Sequence, residues 1–571
     1  MKLKMLLAML AMLSTVAVPA GIASAADENK GIEDRHPDGK EKKKVHISAD
    51  AAASIRVFDV TSSVYGANGS DTADDTAAIQ KALDAAGTTG GGIVYFPKGT
   101  YVTSKDLKVY SNTKLLGSQA KISKADVGDS YAVFAIQPGQ SKIVFEELWI
   151  ENNKSSGSIG IDFGMNSSDI DVQDNRFTGR YAQSVNINAT GVKHIEVTGN
   201  HFEEVNYAVL TNHQATDVRD VRIVNNEFIN IYSDAIELNH PGSTYTAGAN
   251  IIIADNYLSV PAAYGSGTAG GFGIGVAGAT HVSITGNIIE NARYEAIHIE
   301  DEAKHISIVG NIINGVENDP DLVLNSGIYV IDGDYITVSG NSIRGANDYG
   351  IHLEYAQGTQ ATNTTITGNT VTASGGGIKV SGDGKADIIV SDNIATANQG
   401  HGLHVVGSPH SLKVTDNISR DNTGYGLFVD GQSKGWYISG NSLFDNGSGD
   451  IGLNATVTLP IPLRDQSRLL SGTVASSYTP WLDAFSLGKG AEGLLYVTAT
   501  RDNARSVSIY KVSWNGTALT ISQVANETFG TLGLDTPKMN GSKIQVHAYS
   551  PSPNGSTVQF DVQFEGLIMH K

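Results

Sequence analysis

The sequence predicts an all-β chain: a right-handed parallel β-helix of about eleven rungs, with an N-terminal capping helix and a small C-terminal antiparallel β domain. Three observations predict it. An asparagine-ended motif recurs with a commonest step of 24 residues, a second alternating strand recurs inside each copy, and the asparagine repeat stops after Asn441. A repeat of that length cannot bury its apolar face alone, so successive copies must stack into a solenoid. Composition agrees, because 571 residues with 64 Gly, 14 Pro and 17% charged residues describe a folded chain that is neither collagen-like nor disordered.

At the N-terminus, Lys2 and Lys4 precede an apolar run from Met5 to Val18 and the small-residue site Ala23-Ser24-Ala25. This is the three-part pattern of an export signal, over residues 1–26, and we expect a secreted, extracellular protein. The run is too short to span a bilayer, so no membrane span is expected. Removing its two lysines takes the formal charge from −19 to −21, which makes nucleic acid an unfavourable partner. With no cysteine in the chain, burial and hydrogen bonds alone must hold the fold together, and cysteine-based metal sites and nucleophiles are excluded. Residues 27–50, which include Glu41-Lys42-Lys43-Lys44, read as a solvated charged linker.

The β-helix is expected over residues 51–460, with 51–110 as its cap segment. There Asp74 or Asp75 can cap a helix around Ala77 to Ala86, whose apolar face of Ile79, Leu83 and Ala86 would cover the first coil and protect its open edge. Tyr65-Gly66-Ala67, Asp74-Asp75-Thr76, this helix and Phe96-Pro97-Lys98-Gly99-Thr100-Tyr101 together resemble the first segment of the pectate-lyase-like superfamily of β-helix proteins. That superfamily includes polysaccharide lyases, glycoside hydrolases, uronan epimerases and virus-tail depolymerases. The resemblance therefore implies carbohydrate chemistry without choosing a reaction. The Asp-Pro-His-Glu signature of the alginate C5-epimerases is absent.

The repeat itself reads aliphatic, any, aliphatic, two small or polar residues, Asn. Its asparagines are Asn175, Asn200, Asn226, Asn256, Asn287, Asn311, Asn341, Asn369, Asn393, Asn417 and Asn441. Asn tolerates the left-handed backbone of a tight bend, and stacked amides can hydrogen-bond from coil to coil, so the ladder reads as structural. In the second strand of each copy, an aliphatic pair points inward and the residue between them outward. Stacking then builds an outward column: Asp162, Asn186, Leu210, Glu237, Gly275, His298, Tyr329, His352, Lys379, His404 and Phe428.

Four repeats carry insertions, at about 241–249, 259–271, 316–325 and 356–363, on both sides of this strand. Insertions on a solenoid mark functional loops, so the column from Glu237 to His352 is the expected floor of a groove. Gly271-Phe272-Gly273-Ile274-Gly275 should leave a gap between Glu237 and His298 that a sugar ring could occupy. His, Tyr, Lys and carboxylates on one exposed strip serve proton transfer better than stability. The candidate catalytic residues are Tyr329, His298, His352, Lys379 and Glu237. Candidate substrate-binding residues are Asp234, Asn239, His240, Glu295, Glu354, Arg293 and His404, and Glu300, Asp301 and Glu302 are candidate ligands for a calcium ion.

Two mechanisms fit the strip. In the preferred one, a lyase cleaves a uronic-acid polysaccharide such as alginate or pectate by β-elimination, with Tyr329 as base and acid and with Lys379 or a bound cation neutralising the carboxylate. In the alternative, a glycosidase acts on a neutral or weakly charged glycan through a carboxylate pair, Glu237 with Glu295 or Glu300 across the gap. A uronan C5-epimerase and a non-enzymatic glycan-binding surface protein are the remaining readings. Elsewhere His401 and His410 read as solvated, Asp332-Gly333-Asp334 as a turn, and Glu203-Glu204 as surface charge. Residues 465–571 carry alternating strands and Asn515-Gly516, the signal of a two-residue hairpin, and should form a β-sandwich-like domain. The expected assembly is a monomer or a trimer.

Overall fold

The computed structural model describes residues 56–568 apart from 126–131, 153–157, 188, 212–216, 240–249, 261–270, 317–324, 356–362, 385–386, 433–435, 455–460, 474–478, 480–481, 487–490, 502–503, 530–531, 542 and 550–556. The expected export signal, the charged linker, His240 and most of the four insertions lie outside the described residues.

The solenoid is built from three parallel ladders. The first joins the strands that precede each asparagine, the second those that follow it, and the third the strands that carry the outward column. In the third ladder the column holds in register at every step: Asp162 pairs with Asn186, then Leu210, Glu237, Gly275, His298, Tyr329, His352, Lys379, His404 and Phe428 follow. Period-two alternation sets this register, since a slip of one residue would turn every aliphatic side chain out of the core. Those inward residues, among them Ile236, Ile274, Ile297, Ile328 and Ile351, are fully buried.

The asparagine ladder is continuous. From Asn175 to Asn441 each backbone N–H donates to the Oδ1 of the next asparagine at 2.9–3.1 Å. Each Nδ2 donates to the same oxygen and to a carbonyl of the preceding coil, as Asn287 does to Asn311 and to Ile253. The left-handed residue of the bend is not the asparagine, however, but the residue before it, among them Gly199, Asp255, Gly286, Gly310 and Gly340. The asparagine keeps an ordinary backbone, and its side chain satisfies the bend. A second, shorter ladder joins Asn398, Asn422 and Asn446 on a neighbouring corner.

The cap is helix α1, Thr76–Thr88, with Ile79, Ala82, Leu83 and Ala86 buried. Its capping differs from expectation. Asp75 stands at the N-cap position, but its carboxylate accepts from Asn68 N instead of the helix. Asp74 accepts from Thr76 N at 3.0 Å. On the helix surface Gln80 donates to Lys108 O and accepts from Lys108 N. Its amide thus occupies the open edge of Leu107–Val109, the first strand of the third ladder.

At the other end, strand Ile461–Thr473 pairs in parallel with Tyr437–Ser439 and antiparallel with Thr557–Ile568. The antiparallel sheet continues through Ala491–Arg501, Ala504–Trp514 and Leu519–Phe529. Trp514 pairs with Leu519, so the hairpin loop has four residues and not the expected two. Asn515 Oδ1 closes it by accepting from Thr517 N and Ala518 N.

Candidate active site

The column residues stand on the outer face of the third ladder, but the strip is not an open one. Its rings pack against each other along the axis: Phe272 on His298 at 4.4 Å, His298 against Tyr329 at 5.3 Å, and Tyr329 against His352 at 5.0 Å between centroids. His298, Tyr329 and His352 retain only 8%, 4% and 1% of their accessible surface. The expected gap at Gly275 is also closed. A Cβ there would stand 3.3 Å from the Phe272 ring, which fills the rung. Periodicity reads the column position and misses the residue three places before it, from which this ring comes.

That preceding position forms a second column, Asp234, Phe272, Glu295, Ser326, Tyr349, Gly376, His401 and Tyr425. It brings Asp234 and Glu237 together as a hydrogen-bonded carboxyl pair, and Glu237 also bonds the Asn239 side chain. Asp234 Oδ1 accepts from Gly271 N at 2.7 Å and from Phe272 N at 2.9 Å. Burial raises both acids, outweighing those hydrogen bonds on Asp234. On Glu237 the charge of Asp234 adds to burial and pushes it up to about 7. The pair therefore keeps a proton where ordinary carboxyls have lost theirs.

Two rungs on, His298 lies between two carboxylates, with Nδ1 3.3 Å from Glu295 Oε2 and Nε2 3.3 Å from Glu300 Oε2. Burial alone would lower this imidazole, but hydrogen bonds and charge from Glu295 and Glu300 win and raise it to about 9. The imidazolium in turn lowers Glu300. The Glu300 side chain keeps 42% of its surface open, against 6% for Glu295, so the ionised group that faces solvent is Glu300.

Beyond it, Tyr329 donates to Glu354 Oε2 at 2.7 Å, and burial and this bond raise the phenol well above its usual range. A phenol so held keeps its proton, which disfavours it as the base of an elimination. His352 is lowered to about 3 by burial and by the Lys379 and His404 charges, and is neutral. Its Nε2 lies 3.1 Å from Ser381 Oγ, and Nδ1 lies 3.7 Å from Asp348 Oδ2. His404 Nδ1 meets the Tyr349 hydroxyl at 2.6 Å. Arg293 packs along Gly271, its guanidinium 5.3 Å from the Tyr294 ring. The three candidate calcium ligands do not converge: Glu300 turns to His298, while Asp301 and Glu302 sit in an exposed left-handed turn. Among the described residues no group of three or more His, Asp or Glu is arranged to hold a metal ion. Sequence reasoning overlooked Phe272, Asp348 and Tyr349, although the spacing of three residues from the column would have found Phe272 and Tyr349.

Residues 59–321 match the family described as rhamnogalacturonase A/epimerase, pectate lyase-like, and residues 265–417 and 323–459 match the right-handed β-helix region. The chain belongs to the pectate-lyase-like superfamily. Within curated proteins it is similar over short stretches only. It is 39% identical over 66 residues to alginate lyase 7 of Azotobacter vinelandii, covering 12% of this chain and 8% of that one. It is 33% identical over 81 residues to a probable glucan endo-1,3-beta-glucosidase of Arthroderma benhamiae, 13% and 9% respectively. The chain thus spans less than a tenth of the length of either relative. Among solved structures it is similar to PfbA, a surface adhesin of Streptococcus pneumoniae, at 18% identity and a TM-score of 0.41, over 65% of this chain and 90% of that one.

Proposed function

We propose that the protein is a polysaccharide-degrading enzyme that hydrolyses a glycosidic bond, with Glu237 as general acid and Glu300 as the ionised partner, acting outside the cell. One observation carries this reading. Two carboxyls on one face are driven in opposite directions, Glu237 up by burial and Asp234, Glu300 down by the His298 cation. Such a division assigns acid and base. Their strands are two rungs apart, about 10 Å at the spacing of parallel strands, on the scale of the roughly 6.5–9.5 Å carboxyl separation that admits a water and inverts configuration. Glu237 would protonate the leaving oxygen while Glu300 deprotonates the attacking water. His298, fixed by Glu295, keeps Glu300 charged. The matched stretches of a lyase and a glucosidase support a glycan substrate.

Elimination remains the second reading, on the observation that His352 is held neutral beside Tyr329 and Lys379. In that scheme His352 would be the base and Tyr329 the acid. The test follows reducing ends and the ultraviolet absorbance of unsaturated products together, over a panel of neutral and uronate polysaccharides. New reducing ends without absorbance support hydrolysis, and matched absorbance supports elimination. Neither signal on any glycan would favour a non-enzymatic binding protein.

A further inference from the structure

The third ladder continues past the acid pair into a patch that the hydrolytic chemistry of Glu237 and Glu300 does not use. Its rungs carry Tyr349, Lys379, His401, His404, Tyr425 and Phe428, all half-buried. Tyr425 and Phe428 lie nearly parallel, 12° apart with centroids at 5.4 Å, and His401 stacks on Phe428 at 4.4 Å. Glycines make room for these rings. A Cβ at Gly376 would fall 2.3 Å from the Tyr349 ring, one at Gly424 2.5 Å from His401 Nδ1, and one at Gly452 2.5 Å from the Tyr425 ring. The rungs are therefore shaped to let rings lie over the backbone, although an aromatic cluster half open to water contributes less stability than a buried one.

Lys379 is placed among these rings, its Nζ 5.4 Å from the centre of Tyr349. Among the described residues no carboxylate comes within ion-pair distance of it, although the charges of Lys379 and Asp348 influence each other. The two histidines paired with it in register, His352 and His404, are both held neutral by burial and by that same ammonium. Buried His352 Nδ1 and His404 Nε2 have no hydrogen-bond partner. In a chain of net charge −19, an ammonium with no carboxylate at ion-pair distance among the described residues, bordered by half-buried aromatic rings, is arranged for an anionic ligand with an apolar ring face.

We infer that this patch is a chain-holding subsite for an acidic sugar, the carboxylate meeting Lys379 and the ring face lying against the Tyr425 and Phe428 rings. It rests on the reading that the same face holds the glycan being cleaved. Lys379 stands five rungs from Glu237, about 24 Å along the axis, so one extended chain of several sugars would engage both.

The test measures binding apart from turnover. In the full-length Glu237→Gln protein, the affinities for polygalacturonate and for alginate are compared with those for the same polymers after carboxyl reduction. We expect at least one polyuronate to bind more tightly than its reduced form, and Lys379→Met to remove that difference with a loss of roughly tenfold, while Lys379→Arg retains most of it. Phe428→Ala should weaken both forms alike. Thermal unfolding of each variant confirms that it folds. Equal binding of acidic and reduced polymers, or an unaltered preference in folded Lys379→Met, overturns the subsite. Binding as expected without any cleavage by the native protein would instead overturn the hydrolase reading and leave the subsite standing.

Discussion

At the scale of single residues, the decisive feature is the opposed titration of Glu237 and Glu300. Replacing Glu237 by Gln should lower kcat by roughly 10²–10⁴, the usual contribution of a positioned acid, with little change in the circular dichroism spectrum. If Glu237 is the proposed acid it must be protonated, so the rate of the native protein should fall as pH rises through about 7. Stability has the same sign. A carboxyl raised in the fold holds its proton where the unfolded chain has released it, so its contribution is full below the ordinary carboxylate range and is lost as pH rises through about 7. His298, raised to about 9, adds a contribution that is full below the ordinary imidazole range and is lost toward that pH. Below about pH 6.5 the histidines His352 and His404, neutral in the fold, gain with rising pH what the acids lose, so urea midpoints should decline mainly between about pH 6.5 and pH 8, and Glu237→Gln should flatten part of that decline. An unaltered slope in the variant would place the titrating group elsewhere. The column that holds these residues was legible because side chains alternate with period two and each copy restates the pattern. What Phe272 does was not, since filling the Gly275 rung depends on a ring reaching along the strand axis from a position outside the alternation.

At the scale of elements, the asparagine ladder and helix α1 tie coil to coil in a chain that has no cysteine. In Asn311 the Oδ1 receives two bonds from Asn287, and the Nδ2 reaches Asn341 and Ile284 O. Replacing Asn311 by Ala leaves the buried Asn287 N–H without an acceptor and its amide with Ile253 O alone, at about 1–3 kcal/mol for each unsatisfied group. Asn446→Ala, at the end of the short second ladder, should cost less. Chemical denaturation of the two variants checks the order, and equal losses would mean that ladder position is irrelevant. The long ladder showed itself through eleven copies of one motif. The short one did not, because Asn398, Asn422 and Asn446 are only three and sit in a corner with no aliphatic signature. For the cap, Leu83→Ala should cost about 2–5 kcal/mol, the range for a fully buried leucine, and so give helix α1 a measurable share of stability. The acidic pair before it was read as the cap, but Asp75, at the N-cap position, bonds Asn68 N, and it is Asp74 that accepts from Thr76 N. Which carboxylate bonds Thr76 depends on where Asn68 and Val102 fall in space, and that is not written in the segment itself.

At the scale of the whole molecule, a solenoid is stable only while its ends are closed, because every internal coil is covered by two neighbours and a terminal coil by one. The two ends are closed differently here. At the first coil a helix lies over the core, and Gln80 occupies the backbone of Lys108. At the last, the first ladder passes directly into the antiparallel sheet: Ile438 and Ser439 pair with Leu463 and Arg464, and the same strand goes on to pair with Thr557–Ile568. The C-terminal sheet is thus hydrogen-bonded to the solenoid, and sequence reasoning that saw a change of pattern near residue 465 had no means of seeing this shared strand. A chain ended after Asn454 would uncover the Tyr437–Ser439 edge and the last coil above it. An open parallel edge recruits other strands, so the shortened protein should form soluble oligomers or aggregate in light scattering at concentrations where the full chain does not. Its inner rungs, each still covered on both sides, should keep their strands. A monodisperse shortened protein with unchanged unfolding behaviour would show that the last coil closes itself, and would free the C-terminal sheet for some other task.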